Sequence, residues 1–211
     1  TRLLVARSIP ETILETVALE DGDLLIMGWD GYVNTKGFIF GRKIDIVLHR
    51  AKCDFIVVKL IDLEYMKKIL LPVSLDENPN LRFSGKVATA LANWFGGSIT
   101  VFMVIPEKTG NLDYAKYYSV LENRIRELKI KTPVEPKIKI VRSNSVASAI
   151  LKEAEHYDVV LLPAARGRIT KAISMGSIPE QIAKHCDKTV IMAKGHRGIV
   201  QPFFDYLKSR F

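Results

Sequence analysis

The sequence predicts an α/β fold: a doubly wound, parallel, five-stranded sheet, present as one complete copy and the second half of another. Two observations predict it. Short apolar runs of strand length alternate along the chain with stretches of helical periodicity. The same order of elements also returns about 135 residues later, which indicates two copies of one structural unit.

The repeat rests on several matched positions. These are 7–8 with 142–143, 13–14 with 150–151, 23–26 with 158–161, Gly31 with Gly167, Gly41 with Gly176, and 53–54 with 186–187. We divide the chain into a first copy (residues 1–62), a second copy (residues 66–195) and a tail (residues 196–211). The first copy holds only the second half of a unit. Because a half-sheet leaves an open edge, we expect it to pack against the second copy, another chain, or both.

The first copy begins with an apolar run that predicts a strand at 3–6, followed by a helix at 11–18. A second apolar run predicts a strand at 23–27, which ends at Gly28. A glycine-containing loop then leads to a helix around 43–49 and a last strand at 55–59.

The second copy shows all the elements of a unit. Apolar runs predict strands at 68–73, 98–105, 137–141, 158–162 and 189–193. Helical periodicity predicts helices at 80–95, 113–128, 147–156 and 178–185. In the first of these helices Val87, Ala90, Leu91 and Trp94 share an apolar face that we expect to be buried, and the pair Gly96-Gly97 is expected to end the helix.

Composition is that of an ordinary globular protein, with 48% hydrophobic and 26% charged residues. No apolar run approaches the roughly 18 residues that a membrane helix needs. The two cysteines, Cys53 and Cys186, predict a reducing compartment and a packing role. The net charge of +8 is compatible with an anionic partner or simply with a solvated basic surface. Lys and Arg are dispersed and no nucleic-acid-binding motif is present, so we expect no nucleic-acid partner.

The most informative segment is the loop after the strand at 23–27. Gly28 and Gly31 are separated by two residues, and Gly41 follows after nine more. Glycines there permit positive φ and a close approach of the backbone to a ligand. Because a helix follows, its free N–H groups could hold a phosphate. Nucleotide binding is therefore the first functional hypothesis.

Signatures of catalysis are missing. The sequence has neither a Gly-x-Ser-x-Gly elbow nor a Walker A segment. Its four histidines lack the spacing of metal ligands, and His49 and His185 fall at helix C-termini, where a cationic ring suits the helix dipole. We expect no enzyme activity and no metal site.

These features resemble those of a tandem universal stress protein. That family has five parallel strands in an adenine-nucleotide-binding α/β fold. Its nucleotide-binding members carry Gly-x2-Gly-x9-Gly-(Ser/Thr) after the fourth strand and an Asp at the end of the first. The resemblance covers residues 1–60 as half a unit and 66–195 as a full one. It implies an ATP or AMP site, or a site for another adenine nucleotide.

In the first copy, Gly28, Gly31 and Gly41 keep the family spacing, but Arg42 replaces the hydroxyl residue. A guanidinium could bind phosphate bidentately, block the site, or pair with a local carboxylate. Asp30 lies inside the loop, where its charge would oppose a phosphate unless a cation or Arg42 offsets it.

In the second copy, Ala164 follows Pro163 in place of the first glycine, and only eight residues separate Gly167 from Gly176. Gly176-Ser177 matches the end of the motif. Ser74 stands at the position of the first-strand Asp, and a serine can bind ribose weakly but a metal hardly at all. This copy either keeps an adenosine pocket without Mg-ATP chemistry or binds nothing. Three neighbouring residues complete the candidate site: Pro72, Val73 and Arg166.

The tail, with Pro202 opening a short amphipathic helix, is expected to cover a sheet edge or to dock on a membrane or partner. With the tandem unit, it resembles the cytoplasmic C-terminal part of archaeal and bacterial amino-acid permeases. The resemblance implies a cytoplasmic location, alone or at the cytoplasmic face of a larger membrane protein.

Three functions stay open at this stage. The leading one is a regulatory, adenine-nucleotide-sensing module of an amino-acid transporter, such as a cationic amino-acid transporter. The others are a non-binding dimerisation or assembly module and a soluble stress protein with weak ATPase activity. Family members pair through antiparallel last strands, so 55–59 and 189–193 should pair within one chain, as an internal pseudo-dimer, or between two chains of a homodimer.

Overall fold

The computed structural model describes residues 1–32, 38, 40–164 and 178–196. Strands and helices alternate along the chain, as the sequence predicts. The helices are α1 (Ile9–Leu19), α2 (Arg42–Arg50), α3 (Leu81–Phe95), α4 (Asn111–Leu128), α5 (Val146–Ala154) and α6 (Ile178–His185). The strands are β1 (Leu24–Gly28), β2 (Asp54–Lys59), β3 (Lys68–Pro72), β4 (Ser98–Ile105), β5 (Lys137–Arg142), β6 (Val159–Pro163) and β7 (Thr189–Lys194).

Within the described residues, all strands form one sheet in the order β1-β2-β7-β6-β3-β4-β5. The second copy contributes the five parallel strands β5-β4-β3-β6-β7, and the first copy contributes the parallel pair β1-β2. The predicted α/β fold and its parallel five-stranded unit are confirmed. The strand order reverses between β3 and β6, because the chain leaves β3 toward β4 and later returns to the other side of β3 as β6.

The two copies join through their last strands, which are antiparallel. β2 pairs with β7 in a register that places Phe55 opposite Lys194 and Lys59 opposite Val190. At the centre of this register Val57 faces Met192, and each is the fourth residue of its strand. A local two-fold axis therefore relates the two strands. The pairing predicted from the family resemblance occurs within the chain.

Helices cover the two faces of the sheet unequally. On one face α1, α2, α5 and α6 pack with side chains from both copies in a single apolar cluster that includes Val47, Phe55, Ile150 and Ile182. On the other face α3 and α4 pack mainly on the second copy, and their apolar cluster also takes in Ile56 and Val58 of β2. The cover is unequal because α3 and α4 have no counterpart among the described residues of the first copy.

The buried face of α3 matches the predicted one only in part, because Val87 and Leu91 pack partly buried against the core but Trp94 does not. Trp94 is 84% exposed, and the buried residues are Leu81, Ser84, Gly85, Ala88 and Ala92. Small side chains let the helix lie close to its neighbours: a Cβ atom on Gly85 would be only 2.0 Å from the Leu128 carbonyl oxygen. Close backbone packing, rather than side-chain size, therefore sets the orientation of α3. The predicted end of this helix is confirmed, because Gly96 is left-handed with φ +61°.

The strand predicted at 3–6 is wrong. These residues are not in the sheet, and the side chains of Leu3 and Val5 are fully exposed. In the second copy the equivalent segment is β5, which pairs with β4. Among the described residues, the first copy has no counterpart of β4. A β-strand needs a partner for its backbone groups, so an apolar alternation alone does not make one.

The two outer strands of the described sheet differ in character. β1 pairs with β2 on one side only, and its side chains Leu24 and Ile26 are half-exposed. The equivalent residues of β6 are fully buried beneath α3, because β6 is paired on both sides. At the opposite end, β5 carries Lys137 and Lys139 among its mostly exposed residues. The predicted open edge of the half-sheet is thus β1.

Two lysines link the copies across the local two-fold axis. The Nζ of Lys59, at the end of β2, donates to the carbonyl oxygens of Ala183 (3.3 Å) and Cys186 (2.8 Å) at the C-terminal end of α6. The Nζ of Lys194, at the end of β7, donates to the Leu48 carbonyl oxygen near the end of α2. Each ammonium group meets the negative end of a helix dipole that belongs to the other copy. Burial lowers the pKa of Lys194.

Both cysteines are free and buried, as predicted. Burial is the main cause that raises the pKa of Cys53 and of Cys186, so both thiols stay protonated at neutral pH. They are not at equivalent positions, however: Cys53 directly precedes β2, whereas Cys186 stands three residues before β7.

Replacing either lysine by methionine keeps most of the side-chain volume and removes the donor. We expect Lys59→Met and Lys194→Met each to lower the free energy of unfolding by about 1–3 kcal/mol, because helix-end carbonyls lose a charged partner. Urea unfolding followed by circular dichroism measures this. The exposed Lys52→Met is the control, and a loss no larger than that of the control would contradict a role for the lysines in joining the copies.

Candidate functional site

A cavity of about 450 Å³ opens at the carboxyl ends of β3, β4 and β6. It lies where the strand order reverses, between the loop that follows β3 and the residues that end β6. In open α/β sheets this position leaves a crevice, because the chain leaves the two adjacent strands in opposite directions. The fold of the second copy therefore creates the cavity.

The described wall of the cavity is mainly apolar. Side chains from the sheet and from α5 form most of it, namely Phe102, Val104, Val146, Ile150 and Leu162. Polar groups come from the loop after β3, which contributes Ser74, Asp76, Glu77 and Asn78. No lysine or arginine belongs to the part of the wall that the structure describes. The apolar side chains of this wall suit an apolar group, and the polar loop can form hydrogen bonds with it.

The predicted residues Pro72, Val73, Ser74 and Pro163 all line this cavity. The hydroxyl of Ser74 donates to the Asp76 carbonyl oxygen at 2.9 Å, so the donor is used and the oxygen is left to accept. Ser74 and Asp76 are exposed at the rim. A ligand hydroxyl could donate to either side chain there.

A buried arginine supports the rim from behind. Arg124 on α4 donates from Nη2 to the Leu75 carbonyl oxygen and from Nη1 to Glu127, both at 2.8 Å. Its side chain is 10% exposed, so this bond to the loop is shielded from water. The arginine fixes the backbone of the segment that carries Ser74 and Asp76.

Two asparagines hold the exit of β6. The Ala164 carbonyl oxygen accepts from Nδ2 of Asn78 (3.0 Å) and from Nδ2 of Asn80 (2.9 Å). The Oδ1 of Asn80, which is buried, accepts from the Gly195 amide at 3.0 Å. Asn80 thus joins the ends of β6 and β7 to the start of α3. Ala164 itself is buried and does not line the cavity.

Sequence reasoning did not identify Asn78 or Asn80. A signal was present, since the Asn-Pro-Asn segment before a helix is typical of a turn in which an Asx side chain binds the backbone. Asn78 does this, because its Oδ1 accepts from the Asn80 amide at 2.9 Å. That the two amide groups reach β6 depends on the packing of α3, which the local sequence does not specify.

The glycine loop of the first copy is built around aromatic side chains. Trp29 follows Gly28 directly and is buried, and its ring meets Phe40 edge-on with centroids 5.2 Å apart. The amide of Trp29 donates to the Val58 carbonyl oxygen at 2.8 Å. The cavity beside this pair is only about 10 Å³. The described part of the loop is thus filled by its own side chains.

The predicted residues of this loop have local structural roles. Gly31 and Gly41 have φ of +87° and +99°, which disfavours any other residue. A Cβ atom on Gly31 would also lie 3.1 Å from Cε of Lys59. The Asp30 carboxylate accepts from the Tyr32 amide at 2.9 Å, and Arg42 is exposed at the start of α2. None of these contacts excludes a ligand, and the binding role of the four residues stays a prediction, as does that of Gly28.

Four predicted residues of the second copy lie outside the described residues: Arg166, Gly167, Gly176 and Ser177. The tail helix predicted after Pro202 lies outside them as well. Within the described part of the chain, no group of three or more His, Cys, Asp or Glu side chains could hold a metal ion. There too, no helix combines the length and apolar character needed to cross a membrane.

Comparisons with known proteins agree with this architecture. Residues 1–59 match the model of the universal stress protein family. The matched segment lies in the first copy, which keeps the glycine spacing. No curated protein sequence matches the chain.

Solved structures share the fold over most of the chain. A protein of unknown function from Pseudomonas aeruginosa PAO1 is 17% identical with a TM-score of 0.62, over 98% of this chain and 74% of that one. A universal stress protein from Archaeoglobus fulgidus DSM 4304 is 17% identical with a TM-score of 0.58, over 89% of this chain. The present chain spans 65% of the length of the Archaeoglobus protein. At these identities the likeness establishes the fold.

A third structure is a single-unit match. It is a universal stress protein in complex with cAMP, 13% identical with a TM-score of 0.51, and the match covers 62% of this chain and 98% of that one.

The bridge made by Asn80 can be tested with an isosteric change. We expect Asn80→Asp to lower the free energy of unfolding by about 1–3 kcal/mol at pH 7, because a buried carboxylate would face the Ala164 carbonyl oxygen without a donor. The loss should shrink at acidic pH, where the introduced carboxyl group is protonated and donates again.

Urea unfolding at pH 7 and pH 5 measures both effects. Asn93→Asp is the matched control, since the exposed Asn93 also donates to a carbonyl oxygen, that of Lys131 at 3.2 Å. Equal losses in the two variants would show that burial of Asn80 is of no consequence.

Proposed function

We propose that the cavity of the second copy binds an adenine nucleotide and that the protein is a regulatory, nucleotide-sensing module. The observation that carries this proposal is the position of the cavity at the point where the strand order reverses. Its volume of about 450 Å³ falls in the range of about 300–1,000 Å³ typical of small-molecule sites. Bound nucleotide would favour one arrangement of the two copies over another and so transmit its presence.

The lining supports an orientation for the ligand. The adenine would lie against the apolar side chains of Val104, Val146 and Leu162, away from water. The ribose hydroxyls would donate to Ser74 and Asp76 at the rim. The phosphate would lie toward Gly176 and Ser177, as the family resemblance implies. The cAMP complex of a universal stress protein with the same fold adds support for this class of ligand.

Isothermal titration calorimetry with adenosine, AMP, ATP and cAMP tests the proposal directly. We expect AMP to bind with a Kd of about 1 mM or lower, and GMP to bind more weakly because guanine carries additional polar groups that an apolar wall leaves unpaired. Val146→Trp should weaken AMP binding by at least about tenfold, since the larger side chain fills the space of the base. The exposed Val134→Trp, in a loop that does not line the cavity, is the control.

The absence of measurable heat at millimolar nucleotide would overturn the proposal. Equal binding by the two tryptophan variants would place the ligand elsewhere.

A non-binding assembly module is the second candidate, supported by the β2–β7 junction and by the filled loop of the first copy. It predicts a blocked pocket, with Arg42 turned inward, or with Pro163 and the shortened loop closing the second site. Arg42 is exposed, and Pro163 lines an open cavity. These two observations favour nucleotide binding over assembly alone.

Attachment to an amino-acid transporter is part of the same proposal, and it rests on the resemblance of the tandem unit and the basic, aromatic tail. The gene sequence that precedes the codon for Thr1 tests it: several apolar spans of membrane-crossing length would support it, and their absence would contradict it.

We also propose that the module senses nucleotide without catalysing its hydrolysis. We expect no phosphate release from ATP above the rate in buffer. Turnover that disappears in Ser177→Ala would instead support the third candidate, a stress protein with weak ATPase activity.

A further inference from the structure

The aromatic pair of the first copy, Trp29 and Phe40, lies directly behind the wall of the ligand cavity. Leu162 and Pro179 line the cavity of about 450 Å³, and they also line the void of about 10 Å³ beside Trp29 and Phe40. These two residues therefore form a partition, with the cavity on one side and the aromatic pair on the other. The void is too small for more than one water molecule, so the contact is close-packed.

The aromatic pair is held rigidly by the first copy. The Trp29 indole Nε1 donates to the Tyr32 carbonyl oxygen at 3.2 Å, and its amide donates to Val58 of β2. The Phe40 amide donates to the Asp45 carboxylate at 3.1 Å. Because Trp29 and Phe40 are fixed to their own copy by hydrogen bonds, they hold Leu162 and Pro179 in place and do not rearrange around them.

Lys59 holds the same part of the second copy from another point. Its ammonium group binds two carbonyl oxygens at the C-terminal end of α6, and the first two residues of that helix, Ile178 and Pro179, line the cavity. The first copy thus contacts α6 near both ends, through the aromatic pair and through Lys59. The positive φ of Gly31 and its lack of a side chain leave the space through which Lys59 passes.

We infer that Trp29 and Lys59 are positioning residues for the ligand cavity: they fix α6 and Leu162, and so set the shape of a site that neither residue touches. In this arrangement residues of the first copy hold the walls of the binding site in the second copy. The expected effect of Trp29 and Lys59 on ligand affinity rests on the proposed function, whereas their effect on the position of α6 does not depend on any ligand.

Removing either support should loosen α6 and weaken binding. We expect Trp29→Leu and Lys59→Met to raise the Kd for AMP by roughly 3- to 30-fold in calorimetry at a temperature where each variant is folded. Trp29→Phe, which keeps an aromatic ring, should restore most of the affinity. The matched controls are Trp94→Phe, on an exposed tryptophan, and Lys194→Met, which removes the symmetry-related lysine from α2 instead of α6.

A spectroscopic signature separates positioning from general stability. In the Trp94→Phe protein, Trp29 is the one remaining tryptophan, and we expect its emission to shift on AMP addition with the midpoint that calorimetry gives. Hydrogen exchange should also be faster across α6 in Trp29→Leu and Lys59→Met than in Lys194→Met, with or without ligand.

The outcomes are distinguishable. Wild-type affinity in Trp29→Leu and Lys59→Met would overturn the inference while the proposed function stands. If the wild-type protein binds none of the nucleotides, the proposed function fails, and the exchange rates in α6 decide: equal rates in the three variants would overturn the inference, and faster rates in the first two would support it.

Discussion

The antiparallel junction of β2 and β7 is the constraint on which the rest of the molecule depends. Parallel pairing continues within each copy, but at this junction the direction changes once, and the fourth residues of the two strands, Val57 and Met192, meet at its centre. Because the register is fixed there, the helices α2 and α6 come to opposite sides of the local axis on one face. Lys59 and Lys194 can then each reach the helix end of the other copy.

The glycine spacing has different physical consequences in the two copies. In the first copy, positive φ at Gly31 and Gly41 and the passage of Lys59 account for the glycines without any ligand. Beside the described part of the loop, Trp29 and Phe40 leave a void of only about 10 Å³. In the second copy the glycine spacing is altered, yet an open cavity lies where the strand order reverses between β3 and β6. A spacing of glycines therefore identifies the fold more securely than it identifies a binding site.

Much of the fold could be predicted from the sequence, because strand and helix periods, the repeat and the apolar runs are local signals. The bounds of β4 and the C-terminal end of α6 were predicted to the residue, and the cavity residues Pro72, Val73, Ser74 and Pro163 follow from strand ends in a parallel sheet. Tertiary contacts are harder to predict from the sequence. Periodicity alone predicts that Trp94 is a core residue, because it favours the helix face with the large apolar side chains. The face that packs closely is instead the one with small residues, which are Ser84, Gly85 and Ala88. The burial of Asn80 depends on two strand ends that are more than 80 residues away in sequence.

The unequal ends of the sheet limit how molecules of this kind could associate by strand addition. At β5, Lys137 and Lys139 would bring like charges together if another strand approached, whereas β1 presents leucine, isoleucine and methionine without a charge. Growth of the sheet is therefore favoured at one end and opposed at the other. Two molecules joined at β1 would have charged strands at both ends, so such association stops at a pair and does not continue into a fibre.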